Sequence, residues 1–273
     1  MFTTVMAERD EPAEFKVVEA RLLNGSVVRV KRKNIEENIQ VDANFFDQDY
    51  TVAAATGVSV WEGSWYFLQY AQQHADTFDG KRVLELGSGT GLLGLCLAKG
   101  TRAHVMMTDV PAIVDEMLSM NLCDNATSDT VACAVASPAA WPQSHAVGEG
   151  TASCASLDWT VPLSEQTIQA ADCDYLIGAE TVWLKELIEP YVATVTDVLQ
   201  QHRQHYEGVR GSPLTCLMCY RNRGTESSQS FATTSELLEC FRQHGCRVSV
   251  EMEGESAEAP GKLCTLFRIA IDP

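Results

Sequence analysis

The sequence VLELGSGTGLLG, from Val83 to Gly94, constrains the fold of this chain more than any other stretch. An apolar run leads into Glu85, glycines follow at positions 87, 89 and 91, and a second apolar run comes after them. This order predicts a strand, a tight turn and a helix, because glycine adopts positive φ and lets the backbone approach a ligand closely. The first N–H groups of the helix face the same space, so the stretch predicts a nucleotide site. It also fits the dinucleotide pattern G-x-G-x-x-G, so the glycines alone do not identify the nucleotide.

Composition and charge indicate a folded protein that is not built for anionic partners. The chain has 273 residues, of which 45% are hydrophobic and 21% charged, which suits one large α/β domain with additions. Its formal net charge of −17 argues against a nucleic-acid or anionic membrane surface, since both need a positive field. We therefore expect no direct nucleic-acid or membrane partner. The acidic balance suits a basic protein partner, or it serves solubility alone.

The ten cysteines favour a reducing compartment. The start, MFTTVMAERDEPAEF, lacks the basic segment and apolar core of a signal peptide, so we expect reduced cysteines in the cytoplasm, with the nucleus as an alternative. Cys216 and Cys219 form a C-x-x-C motif, but residues three apart on a strand face opposite sides. Because no second pair lies at zinc-finger spacing, we expect no metal.

Three regions are expected along the chain. Residues 1–14 predict a flexible leader. Residues 15–55 predict an N-terminal extension with a β-hairpin, because Asn24-Gly25 lies between two β-rich runs. Residues 56–273 predict the main domain, within which residues 137–156, rich in Ser, Ala, Gly and Pro, predict an inserted loop.

Strands and helices alternate through the main domain. After the glycine turn, strands are predicted at HVMMTDV, which ends near Asp109, at VACAVA (residues 131–136), in the run ending at Glu180, and at residues 213–220. The last two runs, RVSVEME and LCTLFRIAI, have only a short loop between them and should pair antiparallel. The pattern predicts an α/β fold with a Rossmann-like, doubly wound, mostly parallel sheet of seven strands and an antiparallel C-terminal strand. In such sheets ligands bind beyond the carboxyl ends of the strands.

Three residues of the main domain suit a nucleotide ligand. Asp109 comes 22 positions after Gly87 at a strand end, where a carboxylate accepts hydrogen bonds from ribose hydroxyls; the alternative is an N-cap of the next helix. Trp159 is a candidate for stacking on a purine, Trp141 is a rival for that role, and either could simply anchor the loop. Trp61, in an aromatic-rich helix, either closes over the nucleotide or packs in the core.

Four motifs together resemble one family. ELGSGTGLLG, TGVSVWEG, LDW and DYLIGAETVWLKELIEPYV are similar to the class I, seven-β-strand methyltransferases, and among them to methyltransferase family 16, whose members methylate protein lysines. The similarity covers roughly residues 15–272 and is strongest in residues 56–122 and 172–199. It implies S-adenosyl-L-methionine as cofactor and a protein substrate that presents a lysine. We expect a monomer, although the sequence does not identify the oligomeric state.

The resemblance also implies roles for individual residues. The cofactor would be bound by Trp61, Glu85, Gly87, Ser88, Gly89, Gly91, Asp109, Val110, Trp159 and Ala179. The D/E-x-x-Y element of the family, near the target amine, is matched by Glu180 to Trp183, with Trp in place of Tyr or Phe. The larger indole leaves the size of the substrate channel open. Tyr220 is a further candidate for the catalytic pocket, with core packing as the alternative.

The implied chemistry needs alignment of the reactants more than a strong base. A lysine amine has an ordinary pKa near 10.4 and must be neutral to attack, so desolvation beside Trp183 would help. The charge of Glu180 would instead raise the pKa of the amine, which favours a positioning role for Glu180. Alternatives are a non-catalytic binding module of the same fold, methylation of a protein histidine or of a small molecule, and a nicotinamide oxidoreductase.

Overall fold

The described part of the chain begins with the β-hairpin that the sequence predicts. The computed structural model describes residues 15–33, 57–127, 141, 144–166, 169–225 and 227–271. Strands β1 (Phe15–Arg21) and β2 (Val27–Lys33) pair antiparallel around Asn24-Gly25, where Gly25 has a φ of 83°. The Asn24 side chain accepts the N–H of Ser26 at 3.0 Å and closes the turn. The expected leader, residues 1–14, and residues 34–56 lie outside the described residues.

The remaining elements alternate between helices and strands. They are α1 (Glu62–Gln73), β3 (Arg82–Leu86), α2 (Leu92–Gly100), β4 (His104–Asp109), β5 (His145–Val147), β6 (Gly150–Ser156), β7 (Tyr175–Ala179), α4 (Ile188–His205), β8 (Thr215–Tyr220), α5 (Thr234–Gln243), β9 (Cys246–Glu255) and β10 (Leu263–Ile271). Between β4 and β5, helix α3 runs through Pro111–Ile113, a π-helical turn at Val114–Leu118, and Ser119–Asn125. Single helical turns occur at Ala75–Phe78, Leu163–Glu165, Lys185–Leu187 and Glu207–Arg210.

Eight strands form the central sheet, in the order β5-β6-β4-β3-β7-β8-β10-β9. The five strands from β6 to β8 in this order are parallel, and β10 is antiparallel to both β8 and β9. The Rossmann-like, mostly parallel sheet with an antiparallel C-terminal strand is therefore confirmed. Its strand number differs from the seven expected, because β5 adds an antiparallel edge strand to β6.

The prediction of an inserted loop at residues 137–156 is wrong for residues 145–156. They form the hairpin of β5 and β6, and β6 pairs parallel to β4. Residues 131–136 of VACAVA lie outside the described residues. The sequence of β6, GTASCAS, hides its strand character because small side chains give little contrast between the two faces. At the first position of β6 glycine is required, since a Cβ on Gly150 would collide with the carbonyl oxygen of Ala103.

Helices cover both faces of the sheet. Val83 belongs to the core that also contains buried residues of α1 and α2, whereas its neighbour Leu84 belongs to the core with those of α4 and α5, because successive strand residues face opposite sides. Cys219 and Cys216 divide between the same two cores, as the sequence predicts for this C-x-x-C. None of the nine cysteines in the described ranges forms a disulfide, and seven of them are buried. Across those ranges no helix combines the length and the apolar character of a membrane span.

Two buried asparagines of α3 fasten the hairpin to the main domain. The Asn121 side chain accepts the N–H of Lys31 at 2.8 Å and donates to its carbonyl at 3.0 Å. Asn125 does the same for Arg29, at 3.2 and 2.7 Å. Lys31 and Lys33 also pair with Asp124 and Glu116 of α3. Two of the basic side chains of β2 are thus paired with acidic side chains of the main domain.

Candidate active site

A cleft opens at the carboxyl edge of the parallel strands. It encloses about 870 Å³, a volume that includes the solvent at its open mouth. Its walls come from the segment before α1, the glycine turn after β3, the end of β4, the segment after β6 and the turn after β7. The structure brings ten of the thirteen predicted site residues to this cleft: Trp61, Gly87, Ser88, Gly89, Asp109, Val110, Trp159, Ala179, Glu180 and Trp183.

The glycine turn bounds one end of the cleft, which we call the turn end. Gly87 and Gly89 have φ values of 65° and 55°, where side chains are strained. A Cβ on Gly87 would lie 3.1 Å from the ring of Trp159, and one on Gly89 would lie 3.0 Å from the carbonyl oxygen of Gly57. The glycines are therefore required both by the path of the backbone and by the close approach of the opposite wall.

Asp109 braces the turn from the end of β4. Its Oδ2 accepts the N–H of Gly89 and its Oδ1 accepts the N–H of Val110, both at 2.8 Å. Burial raises the pKa of Asp109 to about 6, although the two N–H donors oppose this rise. The alternative role as N-cap is wrong, since Val110 occupies the N-cap position of α3. The carboxylate instead forms part of the cleft wall, where a ligand hydroxyl could reach it.

Trp159 and not Trp141 reaches the cleft. The Trp159 ring packs edge-on against Tyr191, with 5.0 Å between ring centroids, and contributes to the wall opposite Gly87. Trp141 lies 4.1 Å below the guanidinium of Arg82, at the amino end of β3 and so on the far edge of the sheet. The two candidates for purine stacking are thereby separated, and Trp159 remains.

Glu180 bounds the other end of the cleft, which we call the carboxylate end. Its φ of 54° is the one positive value of a non-glycine residue among those the structure describes, a strain typical of functional sites. Its Oε2 accepts the N–H of Gly63 at 2.7 Å, and its Oε1 accepts Nη2 of Arg223 at 2.6 Å. Burial raises the pKa of Glu180 above its ordinary value, against the lowering effect of Arg223. A Cβ on Gly63 would lie 2.5 Å from Cγ of Glu180, so only glycine fits there.

Glu180 belongs to an ion cluster that we define as Glu62, Glu180, Arg221, Arg223 and Lys262. Arg223 donates from Nη2 to Glu62 at 3.1 Å as well as to Glu180, and so bridges the two carboxylates. Glu62 also accepts from Arg221 at 3.2 Å and from Lys262 at 2.7 Å. Burial opposes the ionisation of Glu62, but its three cationic partners outweigh burial and lower its pKa to about 2.

Trp183 forms the aromatic wall of the carboxylate end. Its ring lies 6.1 Å from that of Phe231, tilted by 43°, and its carbonyl accepts the N–H of Ala232 at 3.0 Å. The segment after β8 thus packs across the turn after β7. The position agrees with the sequence-based expectation, and the catalytic role of Trp183 stays a prediction.

The chain is similar to known protein methyltransferases. Residues 46–236, more than half of the chain, match the lysine methyltransferase family. The chain belongs to that family. Protein-lysine N-methyltransferase EFM3 of Chaetomium thermophilum is 29% identical to it over 164 residues, which cover 58% of this chain and 46% of that protein. EEF1A lysine methyltransferase 3 of Xenopus tropicalis is 30% identical over 139 residues, covering 49% and 58%.

A wider match involves a relative with a different amino-acid target in its name. Histidine protein methyltransferase 1 homolog of Rattus norvegicus is 26% identical over 258 residues, which cover 85% of this chain and 70% of that protein. The chain spans about half the length of the two lysine methyltransferases above. Among solved structures, SMU.776, assigned as a methyltransferase and complexed with SAH, superposes with a TM-score of 0.53 at 10% identity, covering 97% of this chain and 58% of that chain. This likeness shows the fold.

Three of the predicted site residues do not line the cleft. Glu85 points to the α2 side of the sheet, where burial raises its pKa to about 8, and a Cβ on Gly94 would lie 2.5 Å from its Oε2. Gly91 begins α2 and makes room for Leu118. Tyr220 is buried and donates its hydroxyl to the carbonyl of Ala232 at 2.8 Å, so core packing, its alternative reading, describes its position.

Sequence reasoning missed several residues of this candidate site. The carboxylate of Glu180 accepts from Gly63 and Arg223, and Arg223 in turn donates to Glu62. The sequence analysis assigns none of these three residues a role. Glycines on both sides of Trp61, at 57 and 63, were an available signal, because glycine marks places where another group comes close to the backbone. No comparable signal exists for Arg223, whose position in the site depends on strands far apart in the sequence.

One group of side chains in the described residues has the composition of a metal site. Ligand atoms of Glu189, Cys240 and His244 lie within 4.8 Å of one another. The thiol donates to Glu189 at 3.2 Å, and the imidazole lies 3.2 Å from the same carboxylate. These contacts already pair the three groups with one another, so they do not call for an ion.

Proposed function

We propose that this protein is an S-adenosylmethionine-dependent methyltransferase that methylates a lysine side chain of a protein substrate. The observation that carries the proposal is the chemical difference between the two ends of one cleft. The turn end offers free space over glycines and a carboxylate, and the carboxylate end offers Glu180 beside the indole of Trp183. Membership of the lysine methyltransferase family supports the same reading.

The residues of the turn end fit the cofactor. Side chains at Gly87 and Gly89 would collide with Trp159 and with the backbone of Gly57, so glycine at both positions preserves the shape of the cleft at the turn end. Asp109 would accept hydrogen bonds from ribose hydroxyls, and the indole of Trp159 would stack on the adenine. S-adenosylmethionine supplies an electrophilic methyl group on a sulfonium centre.

The residues of the carboxylate end fit an amine acceptor. The side chain of Glu180 is only 2% exposed and both of its oxygens have donors, so it presents an edge to the cleft rather than an open binding site for an ion. That edge would orient an amine N–H, while Trp183 would exclude water from its other side. Alignment of two bound reactants supplies several kcal/mol, up to roughly 7 to 11 in favourable cases, so a positioned amine needs little further assistance.

The test is transfer of a tritiated methyl group from S-adenosylmethionine to proteins of a lysate from cells that lack this protein. We expect the wild type to label at least one protein, and mass spectrometry to find a methylated lysine that Glu180→Gln does not produce. Binding of S-adenosylhomocysteine without any labelling would contradict the enzyme and favour the binding-module alternative. Absence of both binding and labelling would contradict the cofactor as well.

Methylation of a protein histidine is the second candidate. It is favoured by one observation, the 85% coverage of this chain by the rat histidine methyltransferase homolog, which exceeds that of the lysine methyltransferases above. Acid hydrolysis of the labelled protein followed by amino-acid analysis separates the two products. Tritium in methyllysine supports the proposal, and tritium in methylhistidine replaces it.

A further inference from the structure

The proposed lysine methyltransferase must obtain an uncharged amine inside a cleft that contains a carboxylate. Lysine has an ordinary pKa near 10.4, so its side chain arrives from water as an ammonium ion. An isolated carboxylate beside it would favour the charged form and hold the proton that has to leave. The carboxylate end of the cleft should therefore contain something that offsets the charge of Glu180.

Arg223 is placed to offset that charge. Its Nη2 lies 2.6 Å from Oε1 of Glu180, while the side chains of Arg223 and Glu180 are 22% and 2% exposed. The contact is thus largely shielded from water, which strengthens it. The guanidinium also lies 4.8 Å from the ring centroid of Trp61, which lines the cleft, and 3.1 Å from Glu62. Three independent contacts hold one cation behind Glu180.

We propose that Arg223 is a positioning residue that neutralises the Glu180 carboxylate, so that the cleft accepts the target amine in its uncharged form. The inference rests on the proposed function. Glu180 keeps a lone pair with which it can accept an N–H of the neutral amine, and the nitrogen lone pair then stays available for the methyl group. The proton released by the ammonium goes to bulk water, and no side chain of the cleft has to take it up.

The charges around Glu180 agree with this role. Arg223 faces it from the segment after β8, Glu62 from α1, Cys219 and Tyr220 from β8, and Cys264 from β10. Burial raises the pKa values of Cys219 and Tyr220, which keeps both groups neutral near pH 7. The ion cluster therefore has three cations, Arg221, Arg223 and Lys262, for two carboxylates. This surplus positive charge disfavours a further ammonium ion.

Arginine suits the position better than lysine would. A planar guanidinium can reach two carboxylates and rest near an aromatic face at the same time, whereas an ammonium is a compact point charge. Arg221 offers a matched comparison in the same cluster, because it contacts Glu62 at 3.2 Å and has no recorded contact with Glu180. Both residues carry the same charge, and they differ in whether they touch the carboxylate that faces the amine.

The test is the pH profile of methyl transfer in the variant Arg223→Gln. Initial rates of tritium transfer are measured at saturating S-adenosylmethionine, from pH 6.5 to 10, into the lysate protein that the wild type labels. Whichever of Glu180 and the amine carries the shared proton, the pair releases it at higher pH when Arg223 is absent. We expect the rise of rate with pH to move upward by about 1 to 2 pH units. In Arg221→Gln the same rise should move by less than half as much.

Two further variants keep the proposal open to contradiction if Arg223→Gln does not fold. Arg223→Lys retains the charge, so its profile should stay near that of the wild type even if the rate drops. Glu62→Gln removes a negative charge from the cluster, so its profile should move in the opposite direction, to lower pH. Melting temperature and affinity for S-adenosylhomocysteine, measured in parallel, show whether each variant is folded.

The possible results distinguish a failure of the role proposed for Arg223 from a failure of the proposed function. Transfer by the wild type with an unmoved profile in folded Arg223→Gln would overturn the role of Arg223 and leave the proposed function intact. A shift of Glu62→Gln to higher pH would also overturn it, because charge compensation fixes the sign. A wild type that transfers no methyl group would overturn the proposed function and this inference together.

Discussion

The two ends of the cleft are built in different ways. At the turn end, the decisive hydrogen bond joins Gly89 to Asp109, 20 positions apart in the chain. At the carboxylate end, Gly63 and Glu180 are 117 positions apart, and Lys262 and Glu62 are 200 positions apart. One end is a turn held by a neighbouring strand, whereas the other is an ion cluster assembled from four segments. Sequence motifs therefore describe the first end well and the second poorly.

The two ends also differ in what a mutation should affect. Asp109 contacts backbone N–H groups of the turn, and Glu180 contacts α1 and the segment after β8. No residue of the ion cluster hydrogen-bonds to the turn among the contacts that the structure records. We therefore expect mutations at one end to change cofactor affinity and mutations at the other to change the rate of transfer, and each prediction below tests that separation.

The largest effect is expected for Glu180→Gln. The glutamine side chain has only one oxygen, whereas the Glu180 carboxylate accepts from Gly63 with one oxygen and from Arg223 with the other. One of these two donors therefore loses its partner in the variant. Transfer of tritium should fall by about a hundredfold or more, on the scale of lost electrostatic positioning. Affinity for S-adenosylhomocysteine, measured by calorimetry, should change less than about twofold. A parallel loss of affinity would show that the two ends are not separable.

The second effect is expected for Asp109→Asn at the turn end. Loss of the charged acceptor should weaken binding of S-adenosylhomocysteine by about 1 to 3 kcal/mol. Because the pKa of Asp109 is raised to about 6, wild-type affinity should also fall as the pH drops from 7 to 5, as the carboxylate takes up a proton. Calorimetry across this range should find that dependence reduced in Asp109→Asn. Equal slopes in both proteins would remove Asp109 from the site.

A smaller effect is expected for Gly63→Ala, which adds one methyl group next to the carboxylate end. Its Cβ would lie 2.5 Å from Cγ of Glu180, so the carboxylate has to move. We expect about tenfold slower transfer and a loss of about 1 to 3 kcal/mol in the free energy of unfolding, typical of overpacking. Gly208→Ala is the matched control, because no atom lies within 4 Å of its Cβ position. Equal activity of the two variants would contradict the tight packing around Glu180.

The smallest functional effect is expected for Glu85→Gln, which the sequence places in the cofactor site and the structure places behind it. Burial raises the pKa of Glu85 from 4.5 to about 8. Between these values the folded protein holds a proton that the unfolded chain has lost, so stability falls as the pH rises, by at most roughly 1.4 kcal/mol per pH unit. Glu85→Gln should melt higher than the wild type at pH 8 and much closer to it at pH 5. A clear loss of cofactor affinity would return Glu85 to the site.

The accuracy of the sequence-based predictions follows the same division. The glycine turn and Asp109 were predictable because each depends on a strand end and a turn that the local sequence specifies. Glu85 lies on the same motif but faces α2. Adjacent strand residues alternate between the two faces of the sheet, and the motif alone does not show which residues face the cleft. Arg223 was not predictable, because its place depends on how β8 lies beside β7. Strand β6 was predicted as part of a loop because its small residues mask the strand period.

The localisation and the oligomeric state remain predictions that rest on the sequence. The cytoplasmic localisation is expected from the cysteines, and the protein is expected to be a monomer. Immunofluorescence and sedimentation of the full chain would measure each of them directly.

The hairpin can attach to α3 because the spacing of side chains along the helix matches the spacing of backbone groups along the strand. Four residues of an α-helix rise about 6.0 Å, and two residues of a strand span about 6.6 Å. Asn121 and Asn125 can therefore pair with Lys31 and Arg29 as if the helix were the next strand of a ladder. A slip of the hairpin by one residue would place both amides opposite Val28 and Val30, whose N–H and C=O groups point toward β1 instead. Helix α3, which starts beside Asp109, thus fixes the register of β2.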